Sequence, residues 1–60
     1  MKQNEYRVLI RDKTGYTRVG FAKGIKRARA LSPIKCHYCK NMKAFYGLSD
    51  MWEVLIVKTS

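Results

Sequence analysis

The chain opens on a strict alternation. In Glu5-Tyr6-Arg7-Val8-Leu9-Ile10-Arg11, Tyr6, Val8 and Ile10 share one side and Arg7, Leu9 and Arg11 the other, the period-2 pattern of a strand with one buried face. Asp12-Lys13-Thr14-Gly15 follows, with Gly15 placed where a short hairpin loop needs a left-handed residue. The chain then turns back into a second strand over residues 16–22, with Thr17, Val19 and Phe21 on one face and Arg18, Gly20 and Ala22 on the other. A glycine inside a strand, here Gly20, marks a bulge or the close approach of another segment.

From Lys23 the period changes. Ile25, Ala28 and Leu31 recur every third residue with Lys26, Arg27 and Arg29 between them, which predicts a short helix with a basic outer side. Ser32-Pro33 stops that helix and offers a cap and a first-turn proline to a second one. Over residues 33–46, Ile34, Tyr38, Met42 and Phe45 fall within about 80° of one another at about 100° per residue, with Lys40 and Lys43 pointing away. Gly47 stands where a residue ending that helix belongs. Met51-Trp52-Glu53-Val54-Leu55-Ile56-Val57 is apolar on both faces apart from Glu53, as in a central or doubly covered strand.

The pattern therefore predicts one α+β domain spanning residues 1–60. It has a three-stranded antiparallel sheet (about 5–11, 16–22 and 51–58) in the order β-β-α-α-β, one face covered by two short helices within residues 24–46. The rival reading makes residues 42–46 a strand, hairpinned through Gly47-Leu48-Ser49-Asp50 to the last one, for four strands and one helix. The expected core is Tyr6, Val8, Ile10, Val19, Phe21, Ile25, Leu31, Ile34, Tyr38, Met42, Phe45, Trp52, Val54 and Ile56. If Trp52, Val54 and Ile56 face the helices, Leu55 and Val57 are left on the other side with Leu9. An apolar patch of that kind predicts a homodimer, through that face or the edge of the last strand.

Composition narrows this further. Sixty residues and 7.0 kDa allow one small core, because a chain this short buries only roughly 60% of the surface its unfolded form exposes. At 47% apolar, with seven aromatics, it carries too much apolar surface for a disordered tail. The longest apolar run, from Val54 to Val57, is far short of a membrane span, and no signal-peptide core follows Met1-Lys2-Gln3-Asn4. The expectation is a cytoplasmic protein without membrane contact.

Charge is the strongest signal. The chain has 13 Lys+Arg against 4 Asp+Glu, a formal +9. The acids are Glu5, Asp12, Asp50 and Glu53, so the stretch from Lys13 to Leu48 contains none, while it holds nine cations. Lys2, Arg7, Arg11 and Lys58 outside that stretch balance the acids. Surfaces kept basic for solubility usually intersperse both signs. A one-signed cluster instead suits a polyanion, whose condensed counterions it releases. Arg18, Lys23, Lys26, Arg27, Arg29, Lys35, Lys40 and Lys43 are the expected contacts to nucleic acid or another acidic partner. Tyr16, Tyr38, Phe45 and Tyr46 lie in the same stretch and are available to stack on bases, although aromatics in so small a domain are also needed for the core. No zinc-finger spacing and no aromatic run of the RNA-binding-sheet type is present.

Cys36-His37-Tyr38-Cys39 has the C-x-x-C spacing of zinc and redox sites. Zinc would take Cys36, His37 and Cys39, yet structural zinc wants four ligands and the chain has no further His or Cys, so a carboxylate or a second copy of the chain would have to complete the set. The expectation is that both cysteines pack as small apolar residues and that no cofactor is used. With a single His and four scattered acids, a catalytic constellation is not expected either. The functional expectation is a small non-enzymatic nucleic-acid-binding protein of regulatory type. The alternative is an inhibitor or regulator of the kind small virus-encoded proteins provide, docking on an acidic host protein through the basic patch and the apolar last strand.

Overall fold

In a computed structural model describing residues 4–59, the chain folds as β1 (Glu5–Asp12), β2 (Thr17–Lys23), α1 (Ile25–Ala30), β3 (His37–Cys39), β4 (Ala44–Leu48) and β5 (Trp52–Lys58). The strands form one five-stranded sheet in the order β2-β1-β5-β4-β3, with every pairing antiparallel. Lys2, counted above among the flanking cations, lies outside the described residues.

The first hairpin follows its sequence pattern. Gly15 has φ of 92° and donates its amide to Asp12 O at 3.0 Å. Register then sorts the side chains, since directly paired residues share a face. Tyr6, Val8 and Ile10 lie opposite Ala22, Gly20 and Arg18 on one flank, and Val8 and Ile10 lie opposite Ile56 and Val54 on the other. The second strand thus turns Gly20 and Ala22 inward, not Val19 and Phe21. Those two are 51% and 66% exposed, against expectation. Their smaller neighbours win because the helix needs room: Leu31, ending the helix, sits over Gly20 with Cδ1 3.4 Å from where a Cβ would stand.

Six residues are too few to hold a helix by backbone hydrogen bonds alone. Helix α1 is held by Ala28, fully buried, and Ile25, which pack on Val8, Ile10, Val54 and Ile56. Gly24, at φ of 88°, turns the chain into it and donates to Asn4 O at 2.8 Å.

The second expected helix does not exist, which overturns the three-stranded, two-helix reading. Residues 32–36 cross the sheet without regular structure, and β3 and β4 form a hairpin beyond them. The rival reading of four strands and one helix lies closer but lacks β3. The misreading has a geometric cause. Tyr38 and Phe45 are seven residues apart, a spacing that puts them on one face of a helix, but they are also register partners across a hairpin whose turn is residues 40–43. There they meet edge to face, centroids 5.3 Å apart. Ser32 does not cap a helix; its hydroxyl accepts the Ile34 amide at 3.2 Å and shapes the crossing segment.

Of the expected core, Val8, Ile10, Val54 and Ile56 are buried, and Tyr6, Ile25, Ile34, Phe45 and Trp52 pack against them. Leu31, Tyr38 and Met42 join Val19 and Phe21 among the exposed residues. Strand β5 is central, with both edges occupied by β1 and β4, so its edge is closed to a partner. No helix among the described residues is long and apolar enough to cross a membrane.

Candidate nucleic-acid interface

The cations of the middle stretch are all exposed, but the fold divides them. At about 100° per residue, Lys26 and Arg29 lie on one flank of α1 and Arg27 on the other. The Lys26 and Arg29 flank faces the crossing segment. There a shallow cleft of about 420 Å³ is lined by Lys26, Arg29 and Lys35, with Ser32, Pro33, Ile34 and Cys36 as its floor and far wall.

A smaller recess of about 110 Å³ lies beyond it, lined by Tyr6, Tyr38, Phe45, Lys43 and Lys58. Arg29 joins the two: its guanidinium carbon is 5.7 Å from the Phe45 ring centroid, within cation–π range. The result is a groove on the helix side of the sheet, with Lys26, Arg29, Lys35, Lys43 and Lys58 along it. No acidic residue lines either part. Tyr38 stands 56% exposed at its edge. Lys43 adopts φ of 52° in the β3–β4 turn, a left-handed conformation unusual for a residue other than glycine.

The remaining expected contacts lie elsewhere. Lys40 is exposed on the same turn as Lys43. Lys23 pairs in register with Glu5, and alternation puts it on the opposite face of the sheet. Arg18 lies on β2, toward the far end of the first hairpin. Tyr6 and Lys58 were not anticipated. They are register partners on β1 and β5, 52 residues apart, and nothing local in the chain brings them together.

Three of the four acids lie at the other end of the sheet, where Asp12, Asp50 and Glu53 surround an open recess with Arg11 and Lys13. Asp12 accepts the amides of Thr14 at 2.9 Å and Tyr16 at 3.1 Å and the Thr14 hydroxyl. Glu53 accepts the Tyr46 phenol at 2.8 Å and pairs with Arg11. Asp12 braces the first turn and Glu53 ties β4 to β1 across β5, and no acid lines the groove.

The same bonds fix a pH response. Glu53 is held below its ordinary 4.5, first by the Tyr46 hydrogen bond and then by Arg11. Asp12 is held below 3.8, first by the Thr14 hydroxyl. Lowered carboxyl values mean stability that is fully present above the ordinary values and lost as pH falls through the depressed ones. Tyr46 is raised above 10.0, chiefly by its bond to Glu53, so its contribution is present below that pH and lost as pH rises through the raised value. Glu53→Gln should therefore lower thermal stability at neutral pH and flatten its fall under acid. Melting curves from neutral pH to below 3.8 check this, and an acid limb as steep as in the parent would refute it.

Cys36 is buried, packing beside Gly47 with its Sγ 3.5 Å from the Ser32 hydroxyl, and Cys39 is half-buried on β3. Among the described residues, no three His, Cys, Asp or Glu side chains come together as a metal site. Cys36, His37 and Cys39 do not form such a group within one chain. No protein-family model, curated protein or solved structure matches this chain.

Proposed function

We propose that this protein binds nucleic acid through the basic groove on the helix side of its sheet, acting by binding without catalysis, and that single strands are preferred to duplex. The observation carrying this is the convergence of Lys26, Arg29, Lys35, Lys43 and Lys58 on one acid-free groove beside the exposed ring of Tyr38. Cations spaced along a groove suit successive phosphates. An exposed aromatic beside them suits an unpaired base, whose face a duplex would hide.

Titration of single-stranded and duplex oligonucleotides over a salt series tests this. Five phosphate contacts to a single strand predict a log–log slope near −3.5. Tyr38→Ala should weaken single-strand binding by roughly 1–3 kcal/mol and leave duplex binding nearly unchanged. A shallow slope with weak, unselective affinity for both would reject the reading in favour of an acidic protein partner.

A further inference from the structure

The helix and the crossing segment cover one face of the sheet and leave the other open. Register puts Val19, Leu9, Leu55 and Tyr46 in one row across the middle of that open face, with Phe21, Arg7 and Val57 in the next, the Arg7 guanidinium lying over the Phe21 ring. Met42 reaches its border, where a shallow pocket of about 300 Å³ is lined by Leu9, Leu55, Tyr46 and Thr17 together with the Arg11–Glu53 pair. We propose that this face docks a second copy of the same chain, sheet against sheet.

Charge selects that occupant. The molecule carries +9, and two copies meeting by their grooves would repel. The open face is close to balanced: Arg7, Arg11 and Lys23 stand there with Glu5 and Glu53, Arg11 is paired to Glu53, and Lys23 lies opposite Glu5. Its centre is apolar and offers no row of cations to a phosphate backbone. Contact through it is the arrangement that keeps the two surplus charges apart, with both basic grooves turned outward.

Size agrees. The molecule's two longer Cα extents are 39 and 22 Å, so the roughly 800 Å² per partner of a standard stable interface would take most of that side of the sheet. Pairing by the edge of β5, the other route open to the sequence, is closed because that strand is central.

Sedimentation equilibrium of the full chain across the micromolar range tests the proposal. The expected result is a species of twice the 7.0 kDa chain mass. Val19→Lys with Phe21→Lys, at two positions more than half exposed, should return it to monomer with an unchanged circular dichroism spectrum. If that pair fails to fold, Val19→Thr with Phe21→Thr keeps strand-favouring side chains while removing the apolar area and should also give monomer. Lys26→Glu with Lys35→Glu, in the groove, should stay dimeric. A parent protein that sediments at 7.0 kDa throughout, or a folded open-face variant that stays dimeric, overturns the proposal. Neither outcome touches nucleic-acid binding, which is measured separately.

Discussion

Lys26→Glu combined with Lys35→Glu should lower single-strand affinity at least about 25-fold near 0.1 M salt and make the salt slope shallower by about 1.4. Each lost phosphate contact removes about 0.7 from that slope, or roughly fivefold at this salt relative to 1 M, and reversed charges add repulsion to the loss. Neither side chain belongs to the core, and both positions are exposed, so the variant should melt like the parent. The informative control is Arg18→Glu with Arg27→Glu. It makes the same change in net charge, but Arg18 is on β2 and Arg27 on the far flank of α1, and neither lines the groove. Distant exposed charges are screened over about 10 Å at 0.1 M salt, so this pair should cost only a few-fold. Equal losses from the two pairs, read by fluorescence anisotropy, would show that net charge and not the groove governs binding.

Gly47→Ala should be the most damaging one-methyl change in the molecule. Gly47 lies opposite Val54 on the covered face, directly beneath the crossing segment. A Cβ there would stand 2.6 Å from the Lys35 carbonyl oxygen, 3.0 Å from Cys36 Sγ and 3.2 Å from Ile34 Cδ1. The first of these is backbone and cannot swing away, so the segment must lift. Overpacking of this kind costs about 2 kcal/mol, which in a domain this small lowers the melting temperature by roughly 10 °C. Because the displaced segment carries Lys35, binding should weaken as well. Gly20→Ala is the matched comparison: its Cβ meets only the flexible end of Leu31 at 3.4 Å. It should change stability by no more than about 0.5 kcal/mol, since Ala is also easier than Gly to order in a strand. Thermal melts of the two variants side by side decide it, and equal melting temperatures would contradict the close contact at Gly47.

Whatever depends on near neighbours was legible along the chain. Alternation over residues 5–11, the left-handed position at Gly15, the three-residue period around Ala28 and the apolar run after Met51 each specify local geometry, and β1, β2, α1 and β5 appear where those signals lie. The one-signed character of the middle stretch was equally plain. Long-range packing set the rest. Alternation defines two faces of β2 without saying which is inward; the helix decided it by choosing Gly20 and Ala22 as the side it could approach. A seven-residue interval between Tyr38 and Phe45 satisfies a helix face and a four-residue-turn hairpin alike. Pairing of β4 with the already buried β5 settled the matter for the hairpin. The groove was the least legible part, because Tyr6, Lys58, Lys43 and Arg29 come from four different elements or turns. Charge along a chain is additive and local, whereas its arrangement on a surface depends on strand order and register, which non-local pairing sets.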